Sequence, residues 1–406
     1  SVGLIVTAHM LIAEVAALAG IAMSLYALAL ARRRPFRASA LLGSGIGICF
    51  LATGLHALPI PLVSALVLPL LFANWRSRSY GIVLALSLLI ALPWLFIWPA
   101  LLWHASPDQF VSWWQMSLDT FSESYHAYFF KLLAWYAWPA LPLALWGAWR
   151  YRGQLLHNRE FQLLTVFFIV CLVFVGWSPD DRGIYAMPLL LPLAAMSGGS
   201  IETLRRGAAG ALDWFGLILF GMMGFLIWLG WFAMMTGWPA KIEERMQFLS
   251  GTRIAQFHWL GFAAAVLVTL IWLIAINNPR RSNRSAVTDW AVGMTMAWSL
   301  LMTLWLPWID SARSYKDIML SIKQALPANY ACINSSNLGA AQIALLDYYT
   351  GIRTERLEVV QRLGCDLYLV QDERGHGRAE PGPKWKLIWQ GKRVADRRES
   401  FRLYQR

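Results

Sequence analysis

The chain is 406 residues long, 58% hydrophobic and only 14% charged, with 23 tryptophans and a formal net charge of +12. A soluble domain carries about 25% charged residues, so the composition excludes an ordinary soluble protein and points to a polytopic α-helical membrane protein. The basic excess is then no argument for a nucleic-acid partner, because arginines in such a chain are sorted first by membrane topology.

The sequence opens at Ser1, inside an apolar run and without signal-peptide architecture, and is expected to be a fragment or processed form. Stretches of about 20 apolar residues, the length that crosses a bilayer, fall at 8–31, 38–55, 57–73, 80–102, 132–149, 160–177, 184–201, 211–235, 257–276 and 287–308. That makes ten expected spans, although 38–73 also reads as a re-entrant hairpin. The loops alternate in basic content. Arginines 32–34 and 37, then 76 and 78, then 150, 152 and 159, then 205 and 206, then 280, 281 and 284 all fall on one side. The positive-inside rule puts those loops in the cytoplasm. Ser1, the turn at 178–183 and everything after Pro307 then lie outside, which in a bacterial inner membrane means the periplasm.

Along the first spans two features stand out. Glu14 alone among the acidic residues lies within the body of an apolar run, where a carboxylate is costly unless paired, hydrated or functional; His9 lies five residues before it. The run Gly43-Ser44-Gly45-Ile46-Gly47 sits inside a span and predicts close helix packing, not a nucleotide loop. Two outer segments exceed what a turn needs. The first, 103–131, interleaves aromatic and polar residues, as an amphipathic helix at headgroup depth does. The second, 237–256, reads as a solvated helix.

The turn Trp177-Ser178-Pro179-Asp180-Asp181-Arg182-Gly183-Ile184-Tyr185 concentrates charge where two spans meet. On a helix Arg182 and Tyr185 share a face and can grip one anionic group together. An ordinary polar turn with an interfacial aromatic reads the same way. Beyond residue 308 the apolar runs stop. Residues 309–406 are expected to form a small α/β domain, separate from the membrane domain of 1–308. A helix is predicted over 314–326, strands over 330–334 and 366–371 with a helix at 338–349 between them, and a terminal strand pair at 385–389 and 401–404. Cys332 and Cys365 lie beside predicted strands, and a disulfide between them suits an oxidising compartment. Cys49 and Cys171, inside spans, read as packing residues. No closely spaced metal-binding motif occurs.

Taken together, Ala8-His9-Met10-Leu11-Ile12-Ala13-Glu14, the arginines that follow, Gly47-Ile48-Cys49-Phe50-Leu51-Ala52-Thr53-Gly54 and Asp181-Arg182-Gly183-Ile184-Tyr185-Ala186-Met187-Pro188 resemble the type-C membrane glycosyltransferases. Within them the chain is most similar to the bacterial aminoarabinose-transferase and protein O-mannosyltransferase group. The resemblance implies transfer of a sugar from a polyprenyl-phosphate carrier to a lipid (lipid A-like) or protein acceptor on the outer face of the inner membrane. It casts Glu14 as a catalytic acidic residue near the acceptor, and Arg182 and Tyr185 as ligands of the carrier phosphate. His9, Thr53 and His126 join the substrate-binding set, with His126 a candidate ligand for a divalent metal ion. Thr53 stands where the family commonly has a lysine, which removes one phosphate-binding charge. The family's principal catalytic acid lies in a first outer loop that would precede Ser1. The residues alone leave two other functions open: a flippase or transporter of lipid-linked sugars, with Glu14 as a proton or substrate site, and a membrane-anchored scaffold whose α/β domain binds a partner.

Overall fold

The computed structural model describes residues 3–4, 12–119, 125–154, 156–178, 183–250, 256–277, 283–360, 364–373, 382–393 and 399–406. The chain divides into two compact units, Ser1–Arg205 and Arg206–Arg406.

The first unit is helical. Helices α1 (Ala13–Leu30), α2 (Pro35–Thr53), α3 (Pro59–Leu71) and α4 (Arg78–Ala105) follow one another on short connections. Helix α2 begins on Pro35, at a position whose N–H would have no helical partner anyway. The predicted glycine packing is what holds α2 in place. A Cβ on Gly45 would stand 2.4 Å from Ser24 Oγ and 2.7 Å from the Gly20 carbonyl of α1, while one on Gly43 would meet the Ser87 carbonyl of α4 at 2.6 Å. Lipid tails are as apolar as leucine, so this close backbone approach, rather than hydrophobic burial, binds the three helices together. Cys49 and Cys171 are both free and buried, as packing residues should be.

The amphipathic segment forms α5 (Pro107–Asp119), followed by α6 (His126–Tyr136), α7 (Ala140–Tyr151), α8 (Arg159–Val175), a 3-10 turn at Gly183–Ala186, and α9 (Met187–Ser200). One continuous core runs through the unit, with Ile21, Leu28, Leu42, Ile46, Phe129, Phe167 and Leu189 fully or almost fully buried.

Among the described residues six helices are long and apolar enough to cross a membrane, or seven if one bent pair is a single span, where the sequence predicts ten. The shortfall has local causes. The 57–73 run yields only the 13 residues of α3, about 20 Å of helix against a hydrocarbon core of about 30 Å. The 132–149 run is split between α6 and α7 just before Ala140. Helix α8, unbroken at 17 residues, stands at the lower limit of a span. The last run bends by 72° ahead of Pro307, whose ring and missing N–H interrupt a helix. Counting apolar residues does not register such breaks.

The second unit begins with α10 (Arg206–Thr236), α11 (Ala240–Ser250), α12 (Trp259–Ile276), α13 (Asn283–Leu304) and α14 (Leu306–Arg313). Indole N–H groups fasten these helices: Trp290 donates to the Leu212 carbonyl at 3.0 Å, Trp305 to that of Ile227 at 2.9 Å, and Trp228 to Thr269 Oγ1 at 3.2 Å. After α15 (Lys316–Ala325) comes a five-stranded sheet. Its strands are β1 (Ile333–Ser336), β2 (Glu355–Arg356), β3 (Leu367–Glu373), β4 (Lys386–Gly391) and β5 (Glu399–Gln405), in the order β2-β1-β3-β5-β4. Strand β1 runs parallel to β2 and β3, whereas β5 is antiparallel to β3 and β4. Helix α16 (Ala340–Thr350) makes the crossover after β1. Met319, Ile322, Ile333, Leu367, Leu369, Phe401 and Leu403 form the domain's own core. Cys332 and Cys365 are joined in a disulfide, their Cα atoms 4.9 Å apart.

Candidate functional site

The end of the first unit away from the arginine turn at 32–34 gathers residues from three distant parts of the chain. Glu14 projects from the first turn of α1. Thr53 is the last residue of α2, and Gly54 ends that helix at φ +62°, a backbone conformation few side-chain-bearing residues adopt. Gly54 also admits α5: a Cβ there would lie 2.9 Å from Ser117 Oγ, and Trp113 of α5 packs edge-on against Phe50 at 5.8 Å. The chain then turns through His56 into α3. Tyr185 lies in the 3-10 turn that leads into α9.

Glu14, Thr53, His56, Ile184, Tyr185 and Pro188 line a small shared cavity of about 20 Å³, enough for roughly one water molecule. Each polar group in it has a different status. The Thr53 hydroxyl donates to the Cys49 carbonyl at 3.3 Å and is occupied within its own helix. The His56 ring meets Tyr185 edge-on at 5.3 Å, and its buried Nδ1 has no hydrogen-bond partner among the described residues. Burial pulls the His56 pKa down to about 4, offset in part by the backbone of Trp177. The imidazole is therefore neutral at pH 7. Among the described residues the lining holds one carboxylate and no lysine or arginine, so a phosphate bound here needs a cation from elsewhere.

His126 stands outside this lining. Its Nε2 lies 3.2 Å from the Val173 carbonyl, its ring packs edge-on against Trp177 at 5.6 Å, and Gly176 leaves it room, since a Cβ there would fall 2.0 Å from the imidazole. Trp177 is thus held from two sides, with its backbone near His56 and its ring against His126. The segment entering the 178–183 turn is anchored by that double contact. Among the described residues the one group of three metal-ligating side chains is Cys332, Glu355 and Cys365, and its two cysteines are consumed by the disulfide. Among the described residues His126 belongs to no such group.

The structure therefore brings Glu14, Thr53 and Tyr185 together and sets His126 beside the turn. His9 and Arg182 lie outside the described residues. His56 is the residue sequence reasoning passed over. It reads as one of several interfacial histidines, and the only local signal is its place two residues after a helix-ending glycine.

No protein-family model matches the chain. It is 30% identical over 204 residues to the undecaprenyl phosphate-α-4-amino-4-deoxy-L-arabinose arabinosyl transferase of Pseudomonas paraeruginosa, a match covering 45% of this chain and 34% of that protein. The protein of the same name from Edwardsiella ictaluri is 31% identical over 250 residues, covering 56% and 43%. That from Serratia proteamaculans is 21% identical over 365 residues, covering 86% and 60%. The chain spans 34% to 60% of the length of these relatives. Among solved structures, ArnT from Cupriavidus metallidurans bound to undecaprenyl phosphate matches with a TM-score of 0.58 at 14% identity, across 99% of this chain and 77% of that one. Its apo form matches with a TM-score of 0.53 at 16% identity, covering 96% and 74%. The fold is shared with these structures, and the resemblance carried by residues 8–14, 47–54 and 181–188 is matched by sequence similarity to the same enzyme group.

Proposed function

We propose that this chain acts as a multi-pass membrane glycosyltransferase of the aminoarabinose-transferase kind. It takes a sugar, 4-amino-4-deoxy-L-arabinose by analogy with its relatives, from undecaprenyl phosphate to a lipid A-like or protein acceptor. The reaction takes place on the outer face of the inner membrane, with 309–406 as a periplasmic α/β domain. The observation that carries the reading is the convergence of Glu14, Thr53 and Tyr185 on one cavity, three segments that the resemblance independently assigns to substrate.

In this reading the anomeric carbon–oxygen bond to the carrier phosphate breaks as the acceptor oxygen bonds to that carbon. The Glu14 carboxylate receives the acceptor proton. Undecaprenyl phosphate leaves with the bonding electron pair, and Arg182 with the Tyr185 phenol stabilises the charge that grows on it. With Thr53 in place of a lysine and His56 neutral, Arg182 carries the cationic part of that task. His56 positions the Tyr185 ring.

The test is transfer of a radiolabelled sugar from its carrier in membrane vesicles containing the protein. Labelled acceptor supports a transferase. Label crossing the membrane without covalent product supports the flippase reading, and neither outcome supports the scaffold.

A further inference from the structure

A second and much larger cavity, about 750 Å³, opens at the other end of α1. Arg32 follows Glu14 by eighteen residues, which along a helix is about 27 Å, so this cavity is remote from the site described above. Arg32, Arg33 and Arg159 all line it. None of the three has a side-chain hydrogen bond or ion pair among the described residues, although Glu160 also lines the cavity. Apart from Glu160 and the exposed Tyr26, the other polar side chains of the wall are spent inside the protein. Trp75 Nε1 donates to Gln162 Oε1 at 3.0 Å, the Tyr80 hydroxyl donates to the Ala65 carbonyl at 2.7 Å, and Ser77 Oγ accepts from the Tyr80 N–H at 3.2 Å. The remaining wall is aliphatic, with Leu25, Leu163, Leu164 and Leu191 running into the spans.

Three guanidiniums facing one space repel one another. Burial and then the charge on Arg32 push the Arg159 pKa below its ordinary value. Arginines that serve only to orient a membrane protein can spread into water. Here Arg32 and Arg33, both exposed, and the half-buried Arg159 border one pocket whose wall offers one carboxylate against three positive charges. Planar guanidiniums bind phosphate with two parallel hydrogen bonds, and the aliphatic wall beside them suits an acyl chain, which a soluble anion would leave unused.

We propose that this cavity binds an anionic membrane phospholipid of the leaflet facing the arginine loops. Its headgroup phosphate sits on Arg32, Arg33 and Arg159, and an acyl chain lies along the leucine wall. The proposal does not rest on the glycosyltransferase reading, since it invokes neither carrier nor transfer.

Native mass spectrometry of the detergent-purified chain, titrated with phosphatidylglycerol or phosphatidylcholine, tests it. The variants are Arg32→Gln/Arg159→Gln, and Arg150→Gln/Arg152→Gln, which removes equal charge from the same basic side outside the cavity. Phosphatidylglycerol is expected to bind the wild type about tenfold more tightly than phosphatidylcholine. The cavity pair should lose about tenfold in phosphatidylglycerol affinity and the control pair less than about twofold, as befits directed hydrogen bonds rather than a diffuse field. Equal losses in both variants would overturn the proposal in favour of a general basic surface. Displacement of the lipid by millimolar inorganic phosphate would reduce the site to a phosphate site. Equal retention of the two lipids by the wild type would remove it, whether or not the variants fold.

Discussion

Replacing His56 should alter how the protein's stability responds to acid. The His56 pKa falls from an ordinary 6.5 to about 4 because burial penalises the charged ring. Below pH 6.5 the unfolded chain takes up a proton that the folded chain refuses, so folding stability drops as the pH falls from neutrality toward 4. At 1.36 kcal/mol per pKa unit, a difference of about 2.5 units caps the loss near 3 kcal/mol. It amounts to about 1 kcal/mol at pH 5.5 and about 2–3 kcal/mol at pH 4.5. His56→Gln keeps a polar side chain but has nothing to titrate. Unfolding in a mild detergent should be followed for both proteins at several pH values. Whatever the substitution costs at pH 7.5, the gap between the proteins should close on acidification, by about 2–3 kcal/mol at pH 4.5. Parallel pH curves would refute the buried, neutral imidazole, and with it the claim that the cavity lining supplies no cation of its own.

Gly45→Leu should unfold the α1–α2 seam, because a Cβ alone would already meet Ser24 Oγ and the Gly20 carbonyl at 2.4 and 2.7 Å. The cost should exceed the 1–3 kcal/mol typical of overpacking, and failure to purify a monodisperse protein while Gly81→Leu, an open position, behaves normally would bear it out. Cys332→Ser/Cys365→Ser removes a link across 33 residues, worth about 3–4 kcal/mol by loop entropy. Limited proteolysis should then cut within 309–406 much sooner, and unchanged resistance would show the disulfide to be dispensable. Gly176→Val should displace His126 from the Val173 carbonyl and loosen the Trp177 contact. The expected readout is a change in carrier binding larger than the change in melting temperature.

How much of this was legible in the sequence depends on how far each feature depends on tertiary contact. The glycine run 43–47 announced close packing and delivers it, because a missing side chain means the same thing wherever the helix docks. Strands β3 and β5 fall close to the alternating runs at 366–371 and 401–404. Strand β2 is two residues long and pairs only because β1 presents an edge, so no local pattern marks it. The runs at 57–73 and 132–149 are less regular than their apolar content suggests: the first forms a helix only over Pro59–Leu71, and the second is interrupted between Tyr136 and Ala140, beside Pro139. At the site, Glu14 was conspicuous as a lone acid within an apolar run. His56 was not, since its meaning comes from Tyr185 and Trp177, more than a hundred residues away.

In the proposed reaction the segment 178–185 grips the carrier phosphate while Glu14 serves the acceptor. Binding of undecaprenyl phosphate to the wild type and to Arg182→Ala, Arg182→Lys, Tyr185→Phe and Glu14→Gln, measured in nanodiscs alongside melting temperature, tests it most directly. Arg182→Ala should melt within about 0.5 kcal/mol of wild type, as an interfacial substitution does. It should lose about 1.5–3 kcal/mol of carrier binding, about ten- to a hundredfold in affinity. Lysine should recover part of that loss, having charge without the planar fork, Tyr185→Phe should lose less than Arg182→Ala, and Glu14→Gln should bind carrier normally. Normal carrier binding by a well-folded Arg182→Ala protein would contradict the account and leave the stretch an ordinary polar turn.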